Sequence, residues 1–115
     1  KTYRRSKKYY PTIITPDILD KRELFGKVFE TVLVNQLSAE FFWRDSFKNE
    51  VDVIQLEPLT AIEIKSGDFK EKDLASLRRF MKKFKPEKSI VLSYNLEKKI
   101  DGIDVIPFYK YFLKS

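Results

Sequence analysis

Between residues 20 and 38 the apolar side chains recur at helical spacing. Leu24, Phe25, Val28, Phe29, Val32, Leu33 and Leu37 form a broad stripe, which predicts an α-helix capped by Asp17 or Asp20. The period then shortens. Three strands are expected at about 39–44, 50–55 and 61–66, separated by turns at Lys48-Asn49 and Glu57-Pro58-Leu59-Thr60. Helical spacing returns over 69–84, with Leu74, Leu77, Phe80, Met81 and Phe84 as the buried face. Asp68 stands three residues before Glu71 in a capping-box pattern, and Pro86 ends the segment. Lys88–Tyr94 reads as a buried strand, Asp101-Gly102 as a turn, Ile103–Ile106 as a strand and Pro107–Leu113 as a short helix with Pro at its start. Ile13-Ile14 reads as a short strand before Pro16. Trp43 is expected in the core. The order is α-β-β-β-α-β-β-α: an α/β fold with a mixed sheet flanked by helices.

The strand pattern also places chemistry. Side chains two apart on a strand share a face, so Glu63 and Lys65 project together while Ile62 and Ile64 project the other way. A four-residue loop at 57–60 would pair Leu56 with Ala61 and Ile54 with Glu63. Asp52 then faces Lys65 and lies on the face of Glu63. A register shifted by one would set Asp52 against an isoleucine. Charges alternating with Val and Ile also describe any half-exposed strand, and 35% of the chain is Asp, Glu, Lys or Arg. The specific signal is the order: helix Glu30, strand Asp52, strand Glu63-Ile64-Lys65, then an amphipathic helix and a strand.

In that order the chain resembles the PD-(D/E)XK nuclease superfamily, and more closely the domain found C-terminal to an AAA+-type ATPase in many archaeal and bacterial proteins. The likeness is carried by residues 26–37, Phe42-Trp43-Arg44-Asp45, Glu50-Val51-Asp52-Val53-Ile54 and Ile62-Glu63-Ile64-Lys65-Ser66-Gly67. It covers about residues 20–95. Val51 stands where many members have Pro, and Ala75 and Ser76 occupy the stretch where some carry Gln. The resemblance implies a restriction-endonuclease-like core of order αβββαβ. It also implies a metal-dependent deoxyribonuclease, with an upstream ATPase domain in the same chain. Asp52 and Glu63 would hold Mg²⁺ or Mn²⁺ with the backbone carbonyl of Ile64. Glu30 would hold a second metal or a metal-bound water, and Lys65 would act on the attacking water. An ordinary solvent-facing role is the alternative for Glu30. A nucleic-acid- or partner-binding module of such an ATPase is the alternative for the whole domain, and a purely structural docking domain is a third.

Composition narrows the chemistry. The chain has 115 residues and no Cys or His, so thiolate and imidazole ligation are excluded and only oxygen ligands remain. Such a set suits Mg²⁺ or Mn²⁺. Ten Phe and 43% hydrophobic residues support one packed core. No apolar run approaches the ~18 residues of a membrane span, and nothing resembles a signal peptide. A cytoplasmic protein without membrane contact is expected, and a homo-dimer is one possible assembly. The Lys- and Glu-rich, Cys-free composition is compatible with a thermophile. The first residue is Lys, which suggests a domain excised from a longer chain.

The net charge of +6 is unevenly placed. Lys1, Arg4, Arg5, Lys7 and Lys8 lie in the first ten residues with no acid. Residues 1–19 read as a basic arm or linker before a domain at 20–115. With Tyr3, Tyr9 and Tyr10 interleaved, such an arm can grip nucleic acid by charge and stacking; a frayed terminus is the plainer reading. Arg78, Arg79, Lys82 and Lys83 make a second cluster, readable as a solvated helix face or as a phosphate-contacting surface. DNA is the expected nucleic acid, without a helix-turn-helix or zinc pattern to read its sequence.

Overall fold

The computed structural model describes residues 2–4 and 21–113. A single seven-stranded mixed sheet runs β1 (Thr2–Arg4), β2 (Phe41–Arg44), β3 (Glu50–Leu56), β4 (Leu59–Lys65), β5 (Lys88–Ser93), β7 (Ile103–Pro107) and β6 (Lys98–Ile100) in spatial order. Pairings β4–β5 and β5–β7 are parallel and the others antiparallel. Helix α1 (Lys21–Gln36) precedes β2, α2 (Ala75–Phe84) crosses from β4 to β5, and α3 (Phe108–Leu113) follows β7. The expected αβββαβ order is present as α1-β2-β3-β4-α2-β5. Two edge strands add to the expected order. β1 pairs with β2 in a segment read as the start of the basic arm. β6 forms a hairpin with β7 across Asp101-Gly102, both at positive φ. Ile13-Ile14 and the caps Asp17 and Asp20 lie outside the described residues, as do Arg5, Lys7 and Lys8.

The sheet buries a core on each face. On one face α2 packs Leu77 and Phe80, with Leu74 just ahead of it, on Trp43, Val51, Ile54, Ala61, Val91, Ile103 and Val105. Trp43 is fully buried, as expected, and meets the Phe80 ring edge-on at 5.4 Å. On the other face α1 sets Phe29, Leu33 and Val34 against Val53, Ile62, Ile64, Ile90 and Leu92, and α3 brings Phe108 beside them. The α1 stripe is wider than the sheet can cover. Phe25, Val28 and Val32 remain 45–53% exposed.

Two local expectations are corrected and a third gains its physical cause. The β3–β4 loop has two residues, Glu57-Pro58, joined by a cis peptide, and Leu56 pairs with Leu59 rather than Ala61. Leu59 and Thr60 belong to β4 because β5 pairs with them: Thr60 sits beside Lys88, and the Glu87 N–H donates to the Leu59 carbonyl at 2.8 Å. Secondly, a 3₁₀ turn (Glu71–Leu74) precedes α2, capped by Lys70 N–H donating to Asp73 Oδ2 at 2.8 Å, so the box is Lys70/Asp73 rather than Asp68/Glu71. Thirdly, the Lys48-Asn49 turn is organised by Asp45, whose Oδ1 accepts from the N–H groups of Phe47 and Asn49 at 2.9 Å. Lys48 takes the positive φ there.

Phe80 and Trp43 carry much of the α2-side core. Phe80→Ala is expected to cost about 3–5 kcal/mol in denaturant unfolding, whereas Phe47→Ala, at a 72% exposed turn, should change stability by less than about 0.5 kcal/mol.

Candidate functional site at the fork between β3 and β4

The β3–β4 ladder stops at Val53↔Ile62. Beyond it β3 stays with β2 as far as Arg44↔Glu50, and β4 stays with β5 as far as Lys65↔Ser93. Two carboxylates fill the fork. The Asp52 N–H donates to Glu63 Oε1 at 3.1 Å, and the Ile64 N–H donates to Asp52 Oδ2 at 2.8 Å. Each side chain thus takes over a backbone partner that a continuing ladder would have supplied. Lys65 Nζ lies 3.7 Å from Glu63 Oε2.

A bulge aims Asp52. Phe41 pairs with Ile54 but Trp43 pairs with Val51, so Asp52 and Val53 together oppose Phe42. One extra residue of this kind bends a strand and re-aims a side chain. The sequence carried a trace of it. Val51 and Ile54 are buried in the same cluster although three residues apart, which a regular period of two forbids. The loop correction moves the pairing by two residues from the expected register. Such a shift leaves side chains on their faces, so Asp52 and Glu63 still come together. Lys65 stands beside Glu63 rather than directly opposite Asp52.

Glu63 is buried, Asp52 is half-buried, and Lys65 keeps about a third of its side chain exposed. Burial pushes the Asp52 carboxyl up to about 7, helped by the Glu30 charge and opposed by the Ile64 N–H and Lys65. Burial and the Asp52 charge push Glu63 up to about 8, opposed by Lys65 and the Asp52 N–H. The two titrate as one unit. Glu30 therefore acts electrostatically on Asp52 from α1. At the next turn of α1 toward the N-terminus, a Cβ at Gly26 would stand 3.2 Å from the Oγ of Ser66, which follows β4 directly. An open cleft of about 420 Å³ is lined by Gly26, Glu30, Ile64, Lys65, Ser66 and Asp73, among others.

The donor set fits a hard divalent cation. Two carboxylates and the Ile64 carbonyl offer oxygen alone, and Mg²⁺ binds through one or two carboxylates while keeping several waters. Among the described residues no group of three or more His, Cys, Asp or Glu forms a ligand cluster. Glu30 thus biases Asp52 without joining a three-carboxylate group.

The basic residues of α2 are placed elsewhere. Arg78 reaches Glu71 at 3.0 Å and Asp101 at 3.4 Å, and Arg79 reaches Asp45 at 2.9 Å while covering the Phe47 ring. Both guanidinium groups tie turns to α2. Lys82 and Lys83 are exposed. None of the four lines the cleft beside Lys65. Arg4 lies in edge strand β1. No described helix is long and apolar enough to cross a membrane.

These features define an α/β domain with a buried carboxylate pair and an adjoining lysine at a strand fork. The chain belongs to the family described as Domain of unknown function (DUF4143), which it matches over residues 25–111. No curated protein and no solved structure matches it.

The raised carboxyls make apo stability depend on pH. Their folded pKa values lie above the ordinary ~4 of the unfolded chain, so the pair's contribution is fully present below pH ~4 and is lost as pH rises through 7–8. Asp52→Asn or Glu63→Gln should therefore raise the apo melting temperature at pH 8 and not at pH 4.5. Equal effects at both pH values would remove the charge-repulsion account. In Mn²⁺ titrations, affinity should rise from pH 6 to 8 and fall strongly in either variant.

Proposed function

We propose that the domain is a metal-dependent nuclease that hydrolyses phosphodiester bonds in DNA, and that it works in the cytoplasm as the C-terminal part of an AAA+-type ATPase. One observation carries this reading: Asp52, Glu63 and Lys65 meet where β3 and β4 part, with Glu30 acting from α1. The resemblance to the PD-(D/E)XK superfamily rests on the same residues.

Bound Mg²⁺ or Mn²⁺ would supply an acidified water and neutralise charge on the phosphate. Asp52 and Glu63 would hold the cation, with the Ile64 carbonyl as a further ligand. Both carboxyls must be deprotonated to do so, which links cation binding to pH. Lys65 faces the cleft and is held near Glu63. Its ammonium is positioned to orient the attacking water and to offset charge developing on the phosphoryl oxygens. Glu30 would hold a further water of the cation's shell. Gly26 and Ser66 both line the cleft, and a side chain at position 26 would crowd Ser66.

A second reading has its own support. Arg78 and Arg79 are engaged in internal ion pairs, so α2 offers mainly Lys82 and Lys83 to a polyanion. A module that docks an ATPase partner, with little use of the carboxylates, needs no more than this.

The test is cleavage by the full-length parent protein on duplex, single-stranded and branched DNA with Mg²⁺ or Mn²⁺. Lys65→Ala should abolish cutting and leave DNA binding within about twofold. A parent protein inert on all three substrates with both cations would transfer the proposal to the docking module. Binding should be sequence-tolerant and weaken steeply with salt. Reversing Lys82 and Lys83 together should lower the salt slope by about two, following the slope of roughly 0.9 per phosphate contact. Arg79→Ala should act chiefly on stability by releasing Asp45. An unchanged slope in the double reversal would take α2 out of the interface.

A further inference from the structure

A second hollow adjoins the cleft. It has a volume of about 720 Å³ and is lined by Arg22, Phe25, Ser93, Tyr94, Asn95 and Leu96, with Glu23, Ser66, Gly67 and Asp68 forming a wall common to both. Its floor is aromatic. Tyr94 meets Phe25 edge-on at 5.5 Å, Phe29 edge-on at 6.0 Å and Phe108 in a stacked arrangement at 5.9 Å. Three rings thus fix its plane, yet Tyr94 remains 48% exposed and Phe25 45% exposed. The chain beyond Tyr94 is held too, because Ser93 Oγ donates to the Leu96 carbonyl. A large ring that is both locked and open to solvent is a preformed surface, which binds a flat partner with little loss of side-chain freedom.

The shared wall connects this surface to the site. Glu23, Ser66, Gly67 and Asp68 line both hollows, and Lys65 lines the first. Lys65 is level with Ser93 on the β4–β5 ladder, so Tyr94, the next residue, leaves its strand on the opposite face. A nucleotide chain lying over the shared wall with a phosphate at Lys65 would bring an adjoining base to Tyr94. The charge of the hollow selects the base over the phosphate. Arg22 stands beside two acids, Glu23 and Asp68, a wall that repels a phosphate and suits the N–H edge of a base. Asn95 adds an amide with both donor and acceptor.

We propose that Tyr94 and Phe25 form a stacking subsite for an unpaired nucleobase next to the bond that is cut, so that the substrate is single-stranded DNA or the single-stranded part of a flap or frayed end. The assignment rests on the nuclease reading of the Asp52–Glu63–Lys65 site. A base inside a duplex has both faces covered by its neighbours and cannot lie on Tyr94. Stacking on an aromatic ring tolerates any base, which agrees with the lack of a sequence-reading element.

Binding measured without divalent metal tests the subsite separately from cutting. Fluorescence anisotropy would compare a labelled oligothymidylate, an abasic oligomer of the same length and a blunt duplex, all at low salt with EDTA. Wild type should bind oligothymidylate about tenfold or more tightly than the abasic strand, the size expected for base–aromatic stacking. Tyr94→Ala should erase that difference, Tyr94→Phe should keep it, and duplex affinity should not change in either. Equal binding of the abasic and thymidine strands by wild type overturns the subsite, as does the absence of any oligonucleotide binding. The wild-type comparison stands even where Tyr94→Ala fails to fold. A base preference that persists while Lys65→Ala leaves cutting intact supports the subsite and sinks only the nuclease role given to Lys65.

Discussion

The strand fork at Val53↔Ile62 is the constraint around which the rest of the domain is arranged. A sheet that opens between two central strands exposes backbone N–H groups in its interior, and each must find an acceptor. Here the acceptors are carboxylates. Asp52 and Glu63 hydrogen-bond the backbone of one another's strands, so the groups that repair the sheet are also the groups that carry its charge. Removing one leaves a donor unpaired, and keeping both brings two like charges together in a place where burial already penalises them. Lys65 at 3.7 Å from Glu63 offsets part of that repulsion. A divalent cation would offset far more. A polar arrangement that is costly when empty and relieved by a cation is the physical reason to read this fork as a site rather than as a defect of the sheet.

The surrounding elements hold the fork open. β3 is anchored to β2 through the bulge at Asp52-Val53, whose flanking residues Val51 and Ile54 enter the α2-side core with Trp43. β4 is anchored by its parallel ladder with β5, continuous from Thr60 to Lys65. Each strand is therefore held by a different neighbour, and neither can follow the other without breaking a buried ladder. Ile62 and Ile64 hold the alternate positions of β4 in the opposite core. They fix Glu63 and Lys65 by the period of the strand alone. The precision of the site thus derives from apolar packing on both faces of the sheet, while its chemistry derives from the three charged residues left in the gap.

Much of this was legible in the chain because it depends on periodicity. The helices, the central strands and the shared face of Glu63 and Lys65 follow from spacings of 3.6 and 2, and a pairing error of two residues does not disturb them; the aim of Asp52 also needs the bulge, and the choice of these residues with Glu30 rested on the family resemblance. Elements set by longer-range partners were not legible. Leu59 and Thr60 look like turn residues beside Pro58 until β5 is placed against them. β1 and β6 are only three residues each, too short for a pattern. The α1 stripe predicted burial of Phe25, Val28 and Val32, but the sheet covers only the line through Phe29 and Leu33. The partners of the basic cluster were not legible, for an electrostatic reason. A run of cations gives no sign of the acids that folding brings to it, and Asp45, Glu71 and Asp101 come from three separate turns to claim Arg78 and Arg79.

That redistribution of charge changes what the domain can ask of a polyanion. With two arginines tied down, the cations lining the cleft are Lys27 and Lys65, set among Glu23, Glu30, Asp68 and Asp73. Long-range attraction then depends on exposed lysines such as Lys82 and Lys83, point charges on flexible stems that raise the encounter rate more than they fix a geometry. Positioning has to come from another source. The candidates are the carboxylate pair beside Lys65 of the cleft, through a cation that would bind one phosphate, and the locked ring of Tyr94 in the adjoining hollow, through one base. Two contacts on adjoining nucleotides set both the direction and the register of a strand. A domain built in this way would bind weakly by itself and gain from a neighbour that delivers its substrate, which an ATPase in the same chain would supply by raising the effective concentration of the strand at the fork.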